Sequence, residues 1–203
     1  MNTGQMMMAL MALVLLAGVS VSVNSMMASK NTTMLEVEAN LNAISLGQSM
    51  LDEVLSQDYD LATVGGAKIY DAGSFTATSG LGPSALEVSR VLLPDSLVLP
   101  GPLQMPSVDS AYKSNQYYND VDDYNGYKRV AFTSTMTNFY IIDTVYYVSE
   151  SNPDVKSSPQ TFYKKVVVTI RHRSMCPPGV SFNAWTGKYF LQLSDVAVYR
   201  RYF

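Results

Sequence analysis

No charged side chain occurs before Lys30, and cysteine and histidine are represented by one residue each, Cys176 and His172. A lone cysteine forbids a disulfide within the chain. With a single histidine beside it, the four ligands of a structural zinc site cannot be assembled. Basic runs are also missing, and the net charge is -3. Nucleic acid is therefore excluded as a partner, because phosphate recognition needs a basic face. Charged residues make up only 15% of the 203, against 47% hydrophobic. That composition can bury one sizeable core but hardly two, so one globular domain with an appendage is expected.

The chain is rich in methionine at its front, where nine of the twelve methionines fall within the first 50 residues. Met6 to Val23 reads MMMALMALVLLAGVSVSV, 18 residues without charge or proline. At about 1.5 Å per residue such a helix crosses most of a bilayer's hydrocarbon. A cleaved secretory signal fits poorly, since Met1 to Gln5 holds no lysine or arginine and Asn-Ser-Met-Met-Ala follows Val23. An ordinary anchor would end in a polar linker or a break. Asn24 to Asp58 instead continues with no proline and one glycine, Gly47. Its apolar residues Met34, Val37, Leu41, Ile44, Leu51 and Leu55 recur at intervals of three and four around the polar Gln48, the stripe of an amphipathic helix.

Read as one element, residues 6–58 form a rod of roughly 80 Å, which must protrude from any single domain. The half from Leu41 to Leu55 is expected to pack on the protein's own sheet through Leu41, Ile44, Leu51 and Leu55. The upstream half is apolar all round and needs other partners, of which copies of the same segment are the natural choice. Met6, Leu10, Leu13, Leu16, Val19, Val23 and Met27 are the candidate assembly positions. Gly4, Ala9, Ala12, Ala17, Gly18, Ser20 and Ser22 allow close approach of helix backbones, and methionine adapts to several kinds of neighbour. Val19 to Val23 and Asn31 to Thr33 have lower helix propensity and mark where a partly melted stretch would fall.

Beyond Asp58 the residues change to glycine, proline, serine and tyrosine. Gly65-Gly66, Gly73, Gly80, Gly82-Pro83, Pro94, Pro100, Pro102 and Pro106 punctuate a loop-rich stretch, with short strands expected near Ala67 to Asp71 and Leu86 to Leu92. Lys128 to Met136, Phe139 to Ser149, Thr161 to Arg173 and Lys188 to Tyr202 are rich in valine, tyrosine and threonine, and predict a four-stranded antiparallel sheet. In Phe139 to Val148 both alternating sets are apolar, so that strand should be covered on both faces. The polar loop Glu150 to Gln160, holding Pro153 and Pro159, should be exposed. The expected fold is α+β. An N-terminal helix (1–58), whose residues 1–28 belong to a membrane or filament core and whose residues 29–58 are amphipathic, packs on a β-rich head (59–203).

No catalytic set emerges. His172, between Arg171 and Arg173, would have its pKa lowered by like charge, yet no nucleophile can be assigned to it, and a surface or edge-strand position is expected. Cys176 precedes Pro177-Pro178-Gly179 as a small loop residue. Gly65-Gly66-Ala67-Lys68 lacks the spacing of a phosphate loop. Asp120, Asp122, Asp123 and Asn125 offer oxygen ligands near calcium-loop spacing, but Tyr124 and Asn125 fall where a ligand and a glycine belong. A solvated turn preceding the Lys128 strand is expected, with calcium binding the alternative. Asn31-Thr32-Thr33 matches a glycosylation acceptor. No cofactor and no small-molecule substrate are expected, and the chain does not read as an enzyme.

The succession of short polar start, apolar helix, amphipathic continuation and β-rich head resembles the type IV pilins with their pseudopilins and minor pilins. Ala43 to Asp60, AISLGQSMLDEVLSQDYD, looks like the end of the long helix in minor pilins, and Asp120 to Tyr127, DVDDYNGY, is similar to an acidic turn of their heads. The family's glutamate near the start of the mature helix is missing, since the first acid is Glu36. Cleavage after Gly4 would leave no glutamate in the apolar segment. With Met1 as the mature end, Gln5 would take that place and could hydrogen-bond a neighbour's N-terminal amine. The resemblance implies insertion in the cytoplasmic membrane, then assembly with copies of itself by envelope machinery into a cell-surface filament. A minor pseudopilin of a secretion or pilus machine, and a single-pass membrane-anchored binding module, are the other readings.

Overall fold

The computed structural model describes residues 2–84 and 118–200 and has an α+β architecture, a long helix packed across a four-stranded antiparallel sheet. The helix, α1, runs Thr3–Leu55 without interruption, 53 residues or roughly 80 Å. It starts three residues earlier and ends three earlier than the periodicity suggests. The early end has a local cause. Gln57 N–H turns back to the Val54 carbonyl, and Asp58 is then drawn into a parallel bridge with Asp120 by Asp58 N–H to Asn119 O (3.2 Å) and Val121 N–H to Asp58 O (2.9 Å).

Neither low-propensity stretch is melted. The hydroxyls of Thr32 and Thr33 both donate to the Ser29 carbonyl, at 2.7 and 3.1 Å, which keeps these residues bonded to the helix at their own level.

Strands β1 (Lys128–Ala131), β2 (Phe139–Tyr147), β3 (Tyr163–Arg171) and β4 (Leu191–Val198) lie in sequence order, each antiparallel to its neighbour. Ala67 to Asp71 forms no strand; Ile69 is fixed instead by a bond from its N–H to the Tyr199 hydroxyl. Leu86 to Leu92 and Pro94 to Pro106 lie outside the described residues. The pairing register places Ile141, Ile170 and Leu191 side by side on one face, and Tyr147, Lys164 and Ala197 in a second row of that face. This inner face receives α1.

The contact between helix and sheet is closest where the helix carries small residues. Ala39, Ala43, Gly47, Met50 and Val54 are the buried positions of α1, again spaced by three and four. A Cβ on Gly47 would lie 2.6 Å from Leu193 Cδ1 and 2.7 Å from Ile170 Cδ1, so here the backbone itself meets β3 and β4. This corrects two members of the expected packing set, Leu41 and Ile44. Leu41 is 63% and Ile44 37% exposed, while Leu51 and Leu55 pack against the core as partly buried flanks. Close approach at Gly47 favours the stripe that carries alanine and glycine over the one that carries Leu41 and Ile44.

Strand β2 is covered unequally. Phe139, Ile141, Asp143, Val145 and Tyr147 are buried on the inner face, whereas Tyr140, Ile142 and Tyr146 on the other are half-buried and Thr144 is exposed. Loops give that outer face partial cover: Trp185 sets its edge on Tyr140 (centroids 5.0 Å apart), and Lys156 lies over the Tyr146 ring.

Candidate assembly surface and the polar centre of the head

From Asn2 to Val37 every described residue of the helix is exposed. The large apolar side chains from Met6 to Val23 keep 53–77% of their surface in solvent, including Met6, Leu10, Leu13, Leu16, Val19 and Val23; Met27 and Gln5 are exposed as well. Met7, Met8, Met11, Val14 and Leu15 are exposed to the same degree, so no single stripe is singled out and the surface is apolar around its circumference. The helix is long and apolar enough to cross a membrane, with no part of its most apolar window buried by the head. Asn31 is exposed on the same helix.

The head has the opposite character at its centre, where charge is buried. Residues 43–60 and 120–127 meet there around Lys164. Lys164 is fully buried on β3. Its Nζ donates to the Tyr59 carbonyl (2.7 Å), to Asp60 Oδ2 (2.8 Å) and, in the closest contact of the three, to Asp122 Oδ1. All three ammonium donors are thus used. The rings of Tyr59 and Tyr147 lie 4.4 and 5.2 Å from the same nitrogen.

Each carboxylate is positioned by local chemistry. Asp60 caps the short helix Leu61–Thr63 through a capping box, accepts from Ala62 N–H, and takes Thr76 N–H and its hydroxyl as well. Burial alone would raise its pKa, but the Lys164 charge and these hydrogen bonds hold it below the usual range. Asp120 accepts from the N–H groups of Asp122 (2.8 Å) and Asp123 (3.3 Å), while Asp123 accepts from those of Asn119 and Asp120. Burial, with repulsion from Asp122 and Asp123, pushes the Asp120 carboxyl up to about 8. Burial also raises Asp122, against the opposing pull of Lys164.

The acidic turn is therefore no solvated loop: Asp120, Asp122 and Asp123 are all at most 2% exposed. Nor does it supply the calcium ligands suggested by its spacing. Its carboxylates are turned onto Lys164 and backbone N–H groups, and the Asn125 side chain bridges Leu81 O and Val145 N–H. Among the described residues no group of three or more Asp, Glu, His or Cys is arranged to hold a metal ion.

A second polar group sits where α1 meets β1. Glu53 takes Arg129 Nη2 at 2.9 Å and the Tyr124 hydroxyl at 3.3 Å, and Arg129 Nη1 also reaches Met50 Sδ at 3.4 Å. Nearby, Asp143 is fully buried on the inner face of β2, and neither carboxyl oxygen has a hydrogen-bond partner. Burial raises its pKa well above the ordinary carboxylate value.

His172 is neither on the surface nor on an edge strand. It follows the central strand β3, is 8% exposed, stacks on Phe139 at 4.4 Å, and caps the helix Arg173–Met175 by accepting from Ser174 N–H. Burial lowers its pKa; like charge is not the cause, and the Thr137 carbonyl opposes the shift. Cys176 is a half-buried free thiol.

A signal for Lys164 was present in the chain. It shares parity with Val166, Val168 and Ile170, whereas Lys165 shares parity with Val167 and Thr169. Alternation along a strand thus points Lys164 inward.

No protein-family model, no curated protein and no solved structure matches the chain.

Proposed function

We propose that this protein is a structural subunit of a pilin-like filament, held in a membrane before assembly and then joined to its copies through the front of α1. One observation carries the reading. More than thirty consecutive helical residues, apolar around the circumference up to Val23, project from the head and cover nothing within it. An exposed apolar surface of that size is not stable in water, and requires lipid or other apolar helices. Continuity favours helices. A hinge between anchor and head would suit a tethered binding module, but α1 passes from its apolar front into the head-bound half without a break.

Cysteine cross-linking tests the proposal. In a Cys176→Ser background, Leu13→Cys or Leu16→Cys should give disulfide-linked multimers in assembled cell-surface material, and Leu61→Cys on the head should not give the same ladder. Exclusively monomeric chains at both helix positions would contradict assembly through α1. Gln5→Ala is a finer probe: insertion should persist and filament yield should fall. Normal filaments from that variant would remove Gln5 from the contact.

A further inference from the structure

We propose that Lys164 and Asp122 condense into an intramolecular isopeptide bond, a covalent staple joining the acidic turn to the centre of the sheet. The partners are an amine and a carboxyl group in direct contact, with side chains 0% and 3% exposed, so bulk water is excluded from both. Their arrangement is held from several sides. Lys164 stands opposite Tyr147 in the β2–β3 register, its Nζ is fixed by Tyr59 O and Asp60, and the turn bearing Asp122 is pinned to the helix exit through Asp58 and Val121. Such fixation replaces the encounter of two free groups with a contact already made, the condition under which intramolecular condensations become fast.

The two neighbouring carboxyl groups supply the proton traffic. Asp120 shares a side-chain hydrogen bond with Asp122, and its raised pKa makes it a proton donor at neutral pH. Asp60, held ionised against Nζ, is the acceptor. The Lys164 ammonium passes one proton to the Asp122 carboxylate, and the freed nitrogen lone pair attacks Cγ, forming the C–N bond as the C=O π pair moves onto oxygen. Asp120 protonates that oxygen while Asp60 removes a second proton from nitrogen. When the tetrahedral centre collapses, one C–O bond breaks, Asp60 returns its proton to the departing hydroxide, and the remaining hydroxyl returns its own to Asp120. The net change is ammonium plus carboxylate to amide plus one water, with Asp60 and Asp120 regenerated.

Burial favours the product. Condensation replaces two desolvated charges by a neutral amide and releases water to solvent. The staple would link positions 42 residues apart in a chain whose single cysteine rules out an internal disulfide.

Peptide mapping of the full chain, extracted in detergent and denatured, decides the matter. The peptides bearing Lys164 and Asp122 should be recovered as one branched species, lighter than their sum by one water. Asp122→Asn should give a branched product of identical mass, because ammonia leaves in place of water. Lys164→Arg should give linear peptides only, and Asp120→Ala a several-fold lower linked fraction. Recovery of wild-type Lys164 solely in linear peptides overturns the proposal, as does a branch located at Asp60. The wild-type measurement needs no variant to fold.

Discussion

The two halves of α1 obey opposite rules although they form one continuous helix. In the front half the largest apolar side chains point outward in every direction. In the back half the buried residues are the small Ala39, Ala43 and Gly47, followed by the larger Met50 and Val54, while Leu41 and Ile44 remain exposed. The difference shows that hydrophobicity alone does not select the packed face of a helix. At Gly47 the Leu193 and Ile170 side chains fill the space a Cβ would need, so the helix backbone itself meets the sheet there. The front half has no such sheet and therefore keeps its apolar surface for something outside the head.

Breaking the front half should have the largest effect and should spare the head. Leu13→Lys with Leu16→Lys costs about 2.5–3.5 kcal/mol per charge for membrane residence. Fractionation should find the chain lost from the membrane, with the head's denaturation midpoint unchanged. A shifted midpoint would mean that the halves are coupled.

The reciprocal experiment uses glycine. Gly47→Val drives a branched side chain into Ile170 and Leu193 and should lower head stability by about 1–3 kcal/mol in denaturant titrations. At Gly18, where a Cβ meets nothing within 4 Å, the same substitution should leave the midpoint in place.

Acid titration acts on the head and spares the front half, which has no ionisable side chain before Lys30. Asp143 has a folded-state pKa raised above its unfolded value. Between the two the folded chain holds a proton that the unfolded chain has released, so its contribution falls as pH rises above the ordinary carboxylate range, by at most about 1.4 kcal/mol per pH unit. Asp143→Asn should remove that slope. The lowered pKa of His172 contributes a slope of opposite sign, present in both proteins, so the wild-type and variant curves must be subtracted. A difference that does not grow with pH would contradict a raised Asp143 pKa. The smallest effect belongs to Leu41→Ser, which should change head stability by less than about 0.5 kcal/mol.

Much of the fold was legible in the chain. Valine, tyrosine and threonine runs located all four strands, and the absence of proline through Asp58 announced an unbroken helix. The packing stripe was legible only at its flank, Leu51 and Leu55; alanine and glycine give a weak periodic signal beside Leu41 and Ile44, and only the shape of the sheet shows which set wins. Composition likewise placed the acids of the 120–125 turn in solvent. Their burial depends on a lysine 42 residues away from Asp122, a pairing that strand parity hints at and only the folded register completes. His172 was misplaced for a related reason: flanking arginines suggest a surface, yet its ring lies against Phe139.

Whether the front of α1 is an assembly surface can be seen by electron cryo-microscopy of material sheared from the surface of cells producing this chain. The predicted result is a filament composed of this chain, its apolar helices bundled along the axis and its β-rich heads outside. Finding the chain only as a detergent-soluble monomer, with no filament containing it in the sheared fraction, would contradict the account.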